Sequence, residues 1–108
     1  MFIYKEDEKK KFSHTDGINY IESYMGMVRN YKDWYVGITE DINERLFNFH
    51  KVDKQKAGWV FIRAESSDTA RSIEKYFLDT RKTDGGPGGG DEPEFVYAYR
   101  ITDYTRER

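Results

Sequence analysis

Tyr35, Arg45 and Glu74 are the residue types that phosphodiester hydrolysis needs, although they stand far apart in the chain. A phenol can orient or deprotonate an attacking water. A guanidinium can neutralise charge on a phosphate, and a carboxylate can hold a divalent cation. The spacing is most telling at the first two. Trp34-Tyr35-Val36-Gly37-Ile38-Thr39 reads as a short aromatic strand, and Asp41-Ile42-Asn43-Glu44-Arg45-Leu46 as the start of a helix. A strand that passes a glycine into such a helix can bring a hydroxyl and a guanidinium to one phosphate. The competing role is ordinary: a core tyrosine with a wet hydroxyl, and a surface ion pair between Arg45 and Glu74.

Other groups add less. His14 and His50 are the only histidines, too few and too separated for a metal triad. His50 reads as a satisfied residue at a helix C-terminus, where the helix dipole favours it. The glycines of Gly85-Gly86-Pro87-Gly88-Gly89-Gly90 can cradle an anion with bare N–H groups, or can serve a loop that needs positive φ. No Gly-Lys-Ser/Thr follows them, so this is not a P-loop. Lys51, Lys54, Lys56, Arg63 and Arg71, with Lys75, Arg81 and Lys82 beyond, interleave with Trp59, Tyr76 and Tyr97. They suit a surface that follows a nucleic-acid backbone, or simply a solvated charged face.

The elements that must position these groups follow from periodicity. Ser13, Thr15 and Asp16 offer caps, and Ile18, Ile21, Met25 and Val28 recur at helical spacing, which predicts a helix over 17–30. A strand over 23–28 is the competing reading, since Gly26 weakens a helix by about 1 kcal/mol relative to Ala. Ile42, Leu46 and Phe49 make the buried stripe of the next helix, with Arg45 beside it. Trp59, Phe61 and Arg63 alternate against Val60, Ile62 and Ala64. Ser66, Ser67 and Asp68 cap a helix whose inner face is Ala70, Ile73, Tyr76 and Phe77, with Glu74 on its flank. Phe95, Tyr97, Tyr99 and Ile101 then alternate against Val96, Ala98 and Arg100. The order predicts one α+β domain, a three-stranded sheet flanked by helices. Residues 1–12, beginning Phe2-Ile3-Tyr4, are expected to be a tail or a short edge strand, and residues 102–108 a frayed polar tail.

Composition sets bounds on partners. The chain has 108 residues, a net charge of −2 and 18 Lys and Arg, so a basic nucleic-acid coat is excluded but a local basic patch is not. With 37% hydrophobic but 17% aromatic residues, its core must be small and built from rings. The absence of cysteine excludes disulfides, thiolate metal sites and thiol nucleophiles. No apolar leader or membrane-length run is present, so a cytoplasmic location is expected.

Tyr35-Val36-Gly37, with Arg45 ten residues after Tyr35, resembles the second half of the GIY-YIG nuclease motif. Glu74, in Ile73-Glu74-Lys75-Tyr76, is similar in position to that family's metal-binding glutamate. The likeness spans roughly residues 22–101. It implies a three-stranded antiparallel sheet flanked by helices and hydrolysis of DNA with one Mg²⁺. In those terms Tyr24, where the tyrosine of the first half-motif would align, or Tyr35 assists the water. Arg45 steadies the phosphate and Glu74 holds the metal. DNA contacts would come from Lys51, Lys54, Arg63 and Arg71. The alternative is a non-catalytic module on the same fold that binds nucleic acid or protein.

Overall fold

The computed structural model describes residues 10–86 and 89–108. The expectations for Phe2-Ile3-Tyr4 and for the middle of the glycine loop therefore lie outside the described residues. The chain is an α+β domain, but its sheet has four strands and is mixed, not three strands and antiparallel. The strands are β1 (Lys11–Phe12), β2 (Trp34–Thr39), β3 (Trp59–Ala64) and β4 (Phe95–Arg100), in the order β1-β3-β4-β2. β4 runs antiparallel to both β2 and β3. β1 adds in parallel to β3, with Phe12 beside Ala64 and the Phe12 carbonyl accepting from Glu65 N at 2.9 Å. Two residues are too few to show alternation, which is why periodicity does not reveal this strand.

Helix α1 (His14–Met25) starts at Ser13, whose hydroxyl accepts from Asp16 N. It stops five residues before the predicted end, because Gly26 takes φ +70° and closes it. The glycine that weakens the helical pattern is its terminator. Gly17, inside α1, has another reason to be glycine: a Cβ there would lie 2.7 Å from Ile73 Cδ1 and 2.8 Å from Ile62 Cδ1. The helix thus rests directly on the sheet and on helix α2 (Ser67–Tyr76), which Ser66 caps. α2 continues as a π-helical turn, Phe77–Arg81.

The two sheet faces differ in kind. Under α1 and α2 lie Ile18, Ile21, Val36, Ile62, Ile73, Phe77 and Val96, an aliphatic core. The opposite face carries Tyr35, Trp59, Phe61, Tyr97 and Tyr99, covered by Ile42 and Leu46 of the helix after β2. That helix, Asn43–Phe49, is π-wound: His50 N donates to Arg45 O at 3.0 Å, one residue farther back than in an α-helix. The wide turn places His50 one turn below Arg45. The alternation read in β3 and β4 matches this division of faces.

Residues 102–108 do not fray. Arg106 N donates to His50 O at 2.7 Å, the Glu107 carboxylate accepts from the Tyr99 hydroxyl, and Arg108 pairs with Asp84 at 2.7 Å. Polar side chains fasten this tail to the aromatic face, so no hydrophobic pattern announces it.

Candidate active site

Tyr35 is buried on β2, stacked 5.2 Å from the Tyr99 ring and 6.3 Å from the Tyr97 ring, with His50 at 4.6 Å. Tyr97 sits on the neighbouring strand directly opposite Gly37. The missing side chain at Gly37 is what lets the Tyr97 ring cross β2, since a Cβ there would lie 2.5 Å from its hydroxyl oxygen. At the far side of Tyr35 runs the chain after the π-helical turn. Asp84 pairs with β2 through Val36 N→Asp84 O and Asp84 N→Trp34 O, and a Cβ on Gly86 would stand 3.1 Å from the Tyr35 hydroxyl. Gly85 likewise leaves no room, with Leu78 at 2.4 Å from a Cβ and Val36 O at 3.0 Å. The first glycines of the loop therefore serve close approach rather than positive φ, which occurs only at Gly89 and Gly90 among those described.

Arg45 and Glu74 both act electrostatically on the Tyr35 and Tyr97 hydroxyls. Arg45 is partly buried, packs its guanidinium 4.5 Å over the Phe49 ring, and hydrogen-bonds the Tyr97 hydroxyl. Burial raises the pKa of Tyr35 and Tyr97, with Arg45 opposing in each case. Both phenols are therefore neutral at ordinary pH. Glu74 is partly buried on the flank of α2, where burial pushes its carboxyl up to about 7 against the opposing charge of Arg71. Among the described residues it accepts no hydrogen bond. A cleft of about 390 Å³ opens beside Arg45, with Thr39, Glu40, Glu44, Phe49 and Gly89 in its walls.

His50 is fully buried and joins these groups to the tail. Its Nδ1 lies 2.6 Å from Arg106 O, and its Nε2 lies 2.8 Å from the Tyr97 hydroxyl. A carbonyl can only accept, so Nδ1 carries the proton and Nε2 accepts from Tyr97. Burial lowers the pKa of His50, in keeping with a neutral ring. The Tyr97 oxygen keeps its lone pairs for the Arg45 side.

The structure thus gathers Tyr35, Arg45, Tyr97 and His50, while Glu74 bonds to none of them and acts on the two phenols only weakly, through its charge. It does not bring Tyr24 there. Tyr24 lies in the last turn of α1 rather than on a strand, 45% exposed, and its hydroxyl accepts from Gly58 N at 3.4 Å. The basic residues also scatter. Arg63 is paired with Glu94 at 2.9 Å, Arg71 donates to Gly90 O and Asp91 O, and Lys54 lies over Phe47. Lys51 stands alone among the four in lining a basic cleft. The signal for Tyr97 was its alternation with Tyr99; what no local pattern supplies is that β4, last in sequence, would lie beside β2.

Among the described residues no cluster of three or more His, Asp and Glu is arranged to hold a metal, and no helix is long and apolar enough to cross a membrane. No family model matches the chain, and neither a curated protein nor a solved structure matches it.

Proposed function

We propose that this domain hydrolyses phosphodiester bonds in DNA as a divergent relative of the GIY-YIG nucleases, with its site at Tyr35, Tyr97, Arg45 and Glu74. The observation that carries the reading is Arg45 bonded to Tyr97, whose ring stacks on Tyr35 of the adjacent strand, with Glu74 on α2 near enough for its charge to act weakly on both phenols. Tyr24 is left out of the set, and Tyr97 takes the part of the second tyrosine. A lone, half-buried carboxylate without hydrogen bonds suits Mg²⁺, which commonly takes one or two protein carboxylates and fills its shell with water and phosphate oxygens. Glu74 would hold it, and the ion would supply charge neutralisation at the phosphate.

The remaining work falls to the chain itself. Arg45 donates to a non-bridging phosphate oxygen as negative charge grows there. Its stack on Phe49 and its bond to Tyr97 fix its plane before substrate arrives. Tyr35, neutral because it is buried, orients the attacking water instead of removing its proton at rest. Tyr97 gives its proton to the hydrogen bond with His50, so its oxygen presents an acceptor toward the site. His50 acts through Tyr97 and is a positioning residue.

The test is incubation of supercoiled and branched DNA with the protein and Mg²⁺. Cleavage is expected, and Arg45→Ala or Glu74→Ala should each reduce it about 100-fold or more. Cleavage that survives both substitutions rejects this site, and absence of cleavage rejects the hydrolase. A second reading, a non-catalytic binding module on the same fold, draws on the position of Tyr24, which leaves the aligned first-half tyrosine outside the site. DNA held but uncut in Mg²⁺ would select it.

A further inference from the structure

We infer that the cleft between the segment after the π-helix and the C-terminal tail binds an unpaired polynucleotide strand, through Lys51, Lys56 and Arg100 to its phosphates and Tyr104 to a base. The cleft holds about 500 Å³ and is lined by Lys51, Lys56, Arg100, Tyr104, Thr102 and Asp53, among others. Its charge is concentrated: among the described residues, none of the three cations is ion-paired, and Arg100 lies over the Trp34 ring at 5.6 Å. Asp53 is the opposing carboxylate in the lining, and it already accepts from Gln55 N at 2.9 Å. The contrast with Arg63, Arg81 and Arg108, each tied to a carboxylate, is direct.

Two features show that the cleft is built. Lys51 holds φ +62° as the left-handed residue that closes the π-helix, so its backbone is fixed by that helix end. His50 before it is tied to the tail by Arg106 N→His50 O, and Val52 after it to the π-helix by Val52 N→Leu46 O at 3.3 Å. On the opposite wall, the backbone around Tyr104 is fixed by a tight turn in which Tyr104 N donates to Thr102 Oγ1 and Thr105 Oγ1 donates to Thr102 O. Tyr104 as a whole is 85% exposed. An exposed aromatic on an ordered turn beside unpaired cations is the combination that holds single strands, where each base offers a face for stacking and each phosphate a charge. A duplex keeps its base faces covered. The inference rests on the phosphodiester reading for the identity of its ligand, and it directs that site toward DNA with a single-stranded portion.

The experiment uses the full chain without Mg²⁺, so that nothing is cut. Fluorescence anisotropy follows a labelled oligothymidine, a duplex of equal length and a poly-glutamate peptide over a range of salt. The oligothymidine should bind best. Lys56→Ala with Arg100→Ala should flatten its salt dependence by about 1.4 in log–log slope, about 0.7 for each phosphate left without its cation. Tyr104→Ala should weaken the single strand about tenfold and the duplex much less. Lys11→Ala, on the edge strand β1 and outside the cleft, should leave both unchanged. An unaltered slope in the double variant, equal losses for single strand and duplex in Tyr104→Ala, or tighter binding of poly-glutamate would overturn the inference. Failure to retain any oligonucleotide at low salt would do the same. Bound DNA that stays uncut when Mg²⁺ is added counts against the hydrolase and leaves the cleft standing.

Discussion

The two faces of the sheet use the same strands for opposite ends. On one, Ile62, Ile73, Val36 and Val96 are closed under two helices and carry no polar atom beyond the backbone. On the other, Tyr35, Tyr97 and Tyr99 are just as buried, yet each ends in a hydroxyl that needs a partner. Aromatic residues bury large areas and still bring a polar tip. The first face holds the fold. The second gives part of its core to a hydrogen-bonded network that runs from Arg45 through Tyr97 and His50 to the tail.

The sharpest way to separate the faces is to empty one. Ile73→Ala removes a fully buried side chain that touches α1 at Gly17, and should cost about 2–5 kcal/mol. Arg45→Ala should cost far less stability while removing most activity. Urea unfolding of the two variants beside a cleavage assay makes the comparison. Equal destabilisation would mean that both faces carry the fold alike.

Gly37→Ala attacks the second face through the backbone. Its Cβ would meet Tyr97 Oη at 2.5 Å and Cζ at 2.6 Å, in a ring held by Arg45 and His50. The expected cost is about 1–3 kcal/mol, with loss of cleavage, because Tyr97 must move away from both partners. Near-native stability and activity would show that the ring has slack, and would remove Tyr97 from the site.

How much of this was legible in the chain differs by face as well. The alternation of β3 and β4 allowed both faces to be drawn, and Ser66 marks a real helix start, whereas Gly37 does not end its strand but lies inside β2 opposite Tyr97. The spacing of Tyr35 and Arg45 pointed to a shared location because strand and helix are adjacent in sequence. Tyr97, by contrast, gains its neighbours from β4 lying between β2 and β3, a pairing across some sixty residues that periodicity cannot encode. The tail is held by Arg106, Glu107 and Arg108 through polar bonds, which have no hydrophobic signature to read. Tyr24 shows the reverse error: a tyrosine at a plausible distance in sequence stands on a helix that ends at Gly26.

His50 and Glu74 respond to pH in opposite senses. His50 has a folded pKa below its unfolded value, so the unfolded chain takes up more protons, and its contribution is lost as pH falls through about 6.5 and below. His50→Phe, which keeps a ring but cannot take up a proton, should lessen the acid-side loss. It should also cost about 1–3 kcal/mol at neutral pH by leaving the Tyr97 proton without its acceptor. An unchanged acid limb in thermal melts from pH 5 to 7 would show that another group governs it.

Glu74 has the smaller expected effect and the opposite sign. Its folded pKa is about 7 against an ordinary 4.5, so the native state holds the extra proton between those values. Stability from this group is complete below about 4.5 and falls away as pH rises to about 7, by about 1–2 kcal/mol once its partial exposure is allowed for. Glu74→Gln removes the titrating proton at almost constant shape. It should raise the melting temperature at pH 8 and leave it nearly unchanged at pH 4. Mg²⁺ should act in the same window and against the same cost, because a cation beside the carboxylate favours the ionised form. Millimolar Mg²⁺ should therefore stabilise the unsubstituted chain more at pH 8 than at pH 5, and Glu74→Gln should abolish that difference. Stabilisation by Mg²⁺ that ignores both pH and the substitution would place the ion elsewhere, and leave Glu74 as a carboxyl buried at a cost with no function to account for it.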